Sequence, residues 1–541
     1  MTTTADDNAT TEVAPETDVA PEARTPLPEI LRSGRGARLT DAVRTSSGEI
    51  LATYAPYNGA LLAELPQCGV ADVQDAFGRA RAAQRNWAQR PVRQRSAVFL
   101  RLHDLVLKRQ DEIMDLIQAE NGKSRRDAFL EVADIANTAR YYARTAPGLL
   151  KNRRRTGLLP GLTAAREVRQ PKGVVTVISP WNYPLALSAG DSIPALIAGN
   201  AVVQKPDNQT ALTALWALAL AREAGLPENV WQMVLGRGST IGSALIENAD
   251  YLMFTGSTPS GKRIAEQAGA RLLGCSLELG GKNAMLVLDD ADLERTLEGS
   301  LRACFSPTGQ LCISIERMYV QDGIYDTFVP RFVDAVQGMK LGAGYDYGYD
   351  MGSLTSADQL EIVTAHVEDA RSSGATVVTG GQPRPDLGPL FYEPTVLTGV
   401  TPAAKCFGEE TFGPLVSVYR FSDVDDAVEQ ANASAYGLNA SVWSKNARRG
   451  QALAARLHAG TVNINEAYGA AWGSIDAPMG GMGDSGLGRR HGSEGLLKYT
   501  EAQTLARQRL MNLAPPGRMS YGGFARLMTR SLKLLRRIGW R

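Results

Sequence analysis

The chain has 541 residues, with 58 Lys and Arg against 57 Asp and Glu, a formal net charge of +1. That balance excludes the basic excess of a nucleic-acid-binding surface, and 44% hydrophobic with 21% charged residues fits a globular protein with a large core. The five cysteines (Cys68, Cys275, Cys304, Cys312, Cys406) form no C-x-x-C and the four histidines share no ligand spacing, which excludes a disulfide framework and predicts no metal site.

Residues 1–36 are rich in Thr, Ala, Pro and acids and predict a disordered tail. Acids precede the first cation, Arg24, so neither a signal peptide nor a mitochondrial presequence is expected. No run of 18 apolar residues suggests a membrane span. With the scattered free thiols, these features predict a cytoplasmic protein. Residues 70–145 show three- and four-residue apolar spacing, hence helices, with a stop at Gly122. Lys151, Arg153, Arg154 and Arg155 lead through LLPGL to Arg166 and Arg169, a short alternating stretch that predicts a hairpin.

From Pro171 onward, β-rich runs such as GVVTVIS, NAVVQK and DYLMFTGS alternate with Ala-rich helical stretches, and the alternation resumes after residue 283. This predicts an α/β protein with parallel sheets, in two domains joined near 278–282. The tail beyond Pro515-Pro516-Gly517 places Phe524, Leu527, Met528, Ser531, Leu532, Leu535 and Ile538 on one helical stripe, with Arg526, Arg530, Lys533, Arg536, Arg537 and Arg541 supplying charge and no acid. Such a helix can lie on an anionic membrane surface. Docking of its apolar face on the same protein or on a partner subunit is the favoured expectation, because the near-zero net charge offers no wider attraction.

The chemistry concentrates in a few motifs. Cys312 follows Gly309 in SPTGQLCIS; a lone free cysteine is most often a small buried hydrophobe. Its company changes that reading. Glu278 stands beside the double glycine 280–281, and Asn182 lies between Pro180 and Pro184 after a strand. Phe254-Thr255-Gly256-Ser257 ends a strand and opens a helix, where amide N–H groups favour a phosphate. Glu410 and Phe412 are two residues apart before Gly413-Pro414.

With these motifs in this order, the chain resembles the aldehyde dehydrogenase superfamily over roughly residues 40–510. Finer motifs (PKGVVTVISPWNYPL, GQLCISIER, APMGGMGDSGLGRRHG) are similar to the actinobacterial succinate-semialdehyde dehydrogenase (NADP) branch. The resemblance implies a Rossmann-like cofactor domain (37–148 and 172–282), a catalytic domain (283–482), and a small strand-based oligomerisation element (149–171 and 496–510), hence a homo-dimer or homo-tetramer. It makes Cys312 the nucleophile, Glu278 the general base and Asn182 the oxyanion amide. Cofactor-binding positions fall on Trp181, Asn182, Lys205, Pro206, Asp207, Asn208, Gly256, Ser257, Leu279, Glu410 and Phe412. The implied reaction takes an aldehyde, foremost succinate semialdehyde, to its acid.

The chemistry requires those residue types independently. A thiolate, with its pKa lowered by a nearby cation or helix N-terminus, forms the adduct from which hydride leaves. Fixed donors stabilise the oxyanion, and a base activates water against the thioester. Asn208 stands where NAD-preferring relatives carry an acid, so NADP is expected, with NAD the alternative; Lys205 would pair with the 2′-phosphate, and Asp207 complicates the argument. The ordinary G-x-G-x-x-G fingerprint is missing. Of the residues that hold a distal carboxylate in succinic semialdehyde enzymes, two arginine positions fall on Gly190 and Ser306 and the serine on Ser474. Another aliphatic or aromatic aldehyde is therefore the alternative substrate. Further alternatives are transfer of the thioester to coenzyme A, a redox-regulated thiol, and a catalytically silent binding protein of the same fold.

Overall fold

The computed structural model describes residues 25–159, 162–509 and 514–540. Residues 1–24 of the expected tail, Pro160 and Gly161 of the basic hairpin, and Arg541 lie outside them. Residues 25–36 depart from the expected disorder. Glu29–Arg32 is a helical turn with Ile30 buried in the main core, and Leu27 and Leu31 pack on neighbouring apolar residues. Three apolar anchors suffice to order a stretch whose average composition is polar.

A six-stranded sheet forms the first half. Its order is Gly486–Leu487, Cys275–Glu278, Tyr251–Thr255, Val174–Ser179, Ala201–Pro206, Trp231–Met233, all parallel except the first pair. Strands such as VVTVIS are apolar on both faces because helices cover both sides. The helices Val70–Gln89, Val92–Lys108, Gln110–Asn121 and Arg125–Leu149 supply part of that cover. Gly122, at φ 83°, ends the third of them.

The second sheet has seven strands, ordered Thr376–Thr379, Thr395–Thr398, Leu415–Phe421, Ile315–Gln321, Asn283–Val287, Asn439–Trp443, Thr461–Ile464, parallel except at the first pair. Glu278 ends a strand of the first sheet and Asn283 begins a strand of the second, so 278–282 is the link between them. The basic stretch is a hairpin: Arg153–Arg155 pairs antiparallel with Thr163–Pro171, which pairs with Thr500–Gln508. No helix among the described residues is long and apolar enough to cross a membrane.

Candidate active site

Cys312 lies in the loop between the helix Leu293–Phe305 and the strand Ile315–Gln321. Thr308 (φ 56°) and Gly309 (φ 66°) are both left-handed and turn the chain just before the thiol. A Cβ at Gly309 would stand 2.0 Å from the Gly413 carbonyl oxygen, so only glycine lets this loop meet the one carrying Glu410 and Phe412. Asn283 Nδ2 donates to the Cys312 carbonyl at 2.8 Å and fixes the loop from below. Cys312 is half-buried. Its neighbours Leu311 and Ile313 line a cavity of about 470 Å³ together with Tyr183, Tyr468, Trp472 and Asp134.

Asn182 reaches the same loop. Its Nδ2 donates to the Gln310 carbonyl at 3.0 Å, which uses one N–H and leaves the second without a partner among the described residues. The Asn182 carbonyl accepts from Lys123 Nζ at 2.6 Å, and the fully buried Lys123 pairs with Glu131 at 2.6 Å. Glu131 also accepts from the N–H groups of Leu185 (2.8 Å) and Ala186 (3.0 Å), capping the helix Pro184–Ile197 that follows Asn182. Asn121 Nδ2 holds the Trp181 carbonyl at 2.9 Å. Three polar side chains thus clamp the Trp181-Asn182 turn, and none of the three was marked by the sequence. Lys123 and Glu131 sit in a helical pattern where charges ordinarily face solvent.

Glu278 is 3% exposed, and its Oε1 has no hydrogen-bond partner among the described residues. Burial raises its carboxyl above the ordinary value, while Arg490 and Lys498 pull it back. Arg490 is itself buried and gripped by Asp191, through Nε at 3.3 Å and Nη2 at 2.9 Å, and by Thr255 Oγ1 at 3.0 Å. Burial pushes the Lys498 ammonium down to about 8. The Cys312 thiol differs from the sequence expectation. Burial pushes it up to about 12 with Glu410 and Glu278 adding to the rise, and Arg490 only partly offsets them. At neutral pH the thiol is protonated, so its attack needs a base in step with it.

Lys205, Pro206, Asp207, Asn208, Gly256, Ser257 and Leu279 lie at the C-terminal ends of the first sheet's strands, where open α/β sheets bind ligands. Lys205 and Pro206 close the strand Ala201–Pro206, with Asp207 and Asn208 just beyond. Gly256 follows the strand Tyr251–Thr255, and Ser257 precedes the helix Thr258–Ala270, whose start has no side-chain cap. Leu279 follows Glu278 and packs over Gly261 of that helix. Across the link, Glu410 accepts from the Gly281 N–H at 2.8 Å, and burial lifts its carboxyl to about 8. Phe412 holds a positive φ of 55° because its N–H donates to Glu316 (3.0 Å), which is anchored by Lys282. Its ring meets Trp181 edge-to-face at 5.5 Å. Ser474 stands apart: it is exposed, and its hydroxyl donates to the Ala470 carbonyl at 2.7 Å. Among the described residues no three His, Cys, Asp or Glu side chains gather as a metal site.

Residues 43–505 match the model of the aldehyde dehydrogenase family. The chain belongs to that family. A Mycobacterium ulcerans protein named "Putative succinate-semialdehyde dehydrogenase [NADP(+)] 2" is 56% identical over 460 residues, 85% of this chain and 89% of the relative. A Mycolicibacterium smegmatis protein named "Putative succinate-semialdehyde dehydrogenase [NADP(+)]" is 53% identical, covering 89% and 93%. Among solved structures, an NADP-dependent enzyme of E. coli superposes with a TM-score of 0.83 at 33% identity, covering 86% of this chain and 96% of that one. As an aldehyde dehydrogenase the chain is an oxidoreductase of α/β fold that takes an aldehyde substrate.

Proposed function

We propose that this aldehyde dehydrogenase oxidises succinate semialdehyde to succinate with NADP, through a thiohemiacetal and then a thioester on Cys312. The convergence of a neutral thiol, a buried carboxylate with an unpartnered oxygen and an amide with an unused N–H carries the chemistry. Glu278 takes the thiol proton as sulfur bonds to the aldehyde carbon. The carbonyl oxygen becomes an oxyanion that accepts from Asn182 Nδ2. Bound NADP supplies the hydride acceptor. Glu278, its proton released, then deprotonates the water that attacks the thioester; carboxylate leaves and sulfur recovers a proton. A base positioned for water favours hydrolysis over transfer to coenzyme A, and product formation should not change when coenzyme A is added.

The residues present fit that cofactor. Asn208 Oδ1 is buried without a partner among the described residues, and Lys205 Nζ reaches only the Pro206 carbonyl at 3.4 Å. The Asp207 carboxylate, which obscured the sequence argument, is engaged as a cap on the Gln209 N–H at 2.9 Å. The uncapped start of the helix Thr258–Ala270 offers free N–H groups to a phosphate. Asn208→Asp should lower kcat/KM for NADP by roughly tenfold, through like-charge repulsion of the 2′-phosphate, and leave NAD nearly unchanged. Equal losses with both cofactors would remove Asn208 from this role.

Succinate semialdehyde is supported by the names of the relatives and by one cation. Arg140 lines the 470 Å³ cavity, and its Nη2 bonds only Asn137 Oδ1 at 2.8 Å, with no ion pair among the described residues. The uncharged aldehyde is the second reading. A Cβ at Gly190 would stand 3.7 Å from Asp134 Oδ2, burial raises Asp134 to about 7, and Ser306 donates to Asp127. Acids therefore occupy the surroundings where arginines would be needed. Comparing kcat/KM for succinate semialdehyde, hexanal and benzaldehyde decides between the two. On the first reading Arg140→Leu costs roughly tenfold or more with succinate semialdehyde alone; a parent enzyme that prefers hexanal establishes the second.

We further propose a homo-oligomer in a reducing, cytoplasmic setting. The strand Thr500–Gln508 is an exposed sheet edge, which invites pairing between subunits, and all five cysteines are free.

A further inference from the structure

The C-terminal segment takes no part in the chemistry described above, and only a narrow stripe of its helix is covered by the chain. After Pro515-Pro516-Gly517 the helix Tyr521–Arg537 begins, capped by the Ser520 hydroxyl on the Gly523 N–H at 3.2 Å. At roughly 100° per residue, Tyr521, Phe524, Leu527, Met528, Leu532, Leu534, Leu535 and Ile538 fall on one half of the helix. Arg526, Arg530, Lys533 and Arg537 fall on the other half, and no acid occurs beyond residue 509.

Phe524 is buried, and Met528, Ser531 and Leu535, on the same stripe, are half-buried. Leu534 (58%), Ile538 (63%) and Trp540 (49%) stand in solvent, as do Leu527, Leu532 and Tyr521. Scattered apolar residues on a surface need no explanation, but a contiguous apolar half-cylinder does. Had the tail evolved to dock on this chain, its cations would meet carboxylates, since the rest of the chain is net acidic. Among the described residues no ion pair involves Arg518, Arg526, Arg530, Lys533, Arg536 or Arg537. The charges remain without ion pairs among the described residues, and both flanks of the apolar half, Leu527, Leu534 and Ile538 on one side and Tyr521 and Leu532 on the other, remain uncovered.

We propose that this helix lies on an anionic lipid surface, with its exposed apolar side chains and Trp540 in the headgroup boundary and its guanidinium groups toward lipid phosphates. The observations match what such a site needs. The helix has segregated faces, long cationic stems able to extend along the interface, an aromatic residue at the end, and low overall hydrophobicity. The Pro515-Pro516-Gly517 joint, with Gly517 at φ 56°, breaks the chain between the catalytic body and this helix. Association of this kind holds by charge as well as by apolar burial, and therefore weakens with salt. A second copy of the chain is the other occupant that could cover the apolar half.

Sedimentation of the full chain with vesicles of phosphatidylcholine mixed with phosphatidylglycerol, against phosphatidylcholine alone, tests the proposal. The chain should pellet with the mixed vesicles and stay in solution with the neutral ones. Joint replacement Arg526→Gln, Arg530→Gln and Arg537→Gln should weaken binding about a hundredfold, near fivefold per cation. Leu527→Glu with Leu534→Glu should abolish it, while turnover in solution stays at the parent level and shows that each variant is folded. No pelleting with mixed vesicles overturns the proposal. So does equal pelleting with both lipids, or a loss of subunit association in Leu534→Glu with vesicle binding unchanged.

Discussion

Glu278→Gln is expected to cut steady-state turnover by roughly 10²–10⁴, the range of a lost general base. The substitution keeps the shape of a buried side chain whose Oε1 makes no hydrogen bond among the described residues, so the fold should survive. What disappears is the ability to deprotonate water. The variant should still release a slow first equivalent of NADPH, with solvent taking the thiol proton, and then stall as an acyl-enzyme visible by mass. Cys312→Ala should give neither the burst nor the adduct. The parent profile carries a second signature. Burial holds the Glu278 carboxyl above its ordinary 4.5, and the ionised form is the base, so activity should rise with pH through an inflection above that value. In the Gln variant that limb should be missing. Turnover within tenfold of the parent, or an unchanged acidic limb, would assign the base elsewhere.

The parts of the candidate site legible in the sequence are those whose residue type is dictated by backbone geometry. Gly309 beside Cys312, the double glycine after Glu278 and the prolines around Asn182 mark places where the chain must turn sharply or approach another strand. Those constraints show in single letters. The structure adds the reason: Gly309 is pressed onto the Gly413 carbonyl, and a Cβ at Gly281 would stand 2.6 Å from the Cys312 carbonyl. The alternating α/β pattern was legible for the same reason, because strands covered on both faces read as short apolar runs.

The supporting charges were not legible. Lys123, Glu131, Asp191, Arg490 and Lys498 come from three distant segments, and each looks like a solvent-facing charge in its own stretch. Only the fold turns them inward. Burial also reverses the expected activation of the thiol, since desolvation outweighs the one cation that faces it. Composition erred at the N-terminus in the opposite sense, because an average over 36 residues hid the anchors around Ile30.

The second large effect should come from Arg490→Leu, which removes one partner of a buried ion pair whose side chains are 8% and 6% exposed. Asp191 is then left charged and unpaired, a change that typically costs about 3–5 kcal/mol. Asp191→Leu combined with Arg490→Leu removes both charges and should recover most of that stability, since apolar groups replace a buried pair with little net loss. The pH profile should behave differently. Arg490 is the strongest neighbour lowering the Glu278 carboxyl, and Asp191 a weaker one raising it. Losing Arg490 alone should therefore move the acidic limb furthest toward alkaline pH, and losing both should leave it between the single variant and the parent. Arg490 also opposes the rise of the Cys312 thiol, so the shift should extend to the rate of the NADPH burst. Denaturant midpoints and pH–rate profiles of the three proteins separate the two roles. If the double variant regains stability while its acidic limb coincides with the parent's, Arg490 is a structural strut, and the poise of Glu278 comes from burial opposed by Lys498 and Arg489.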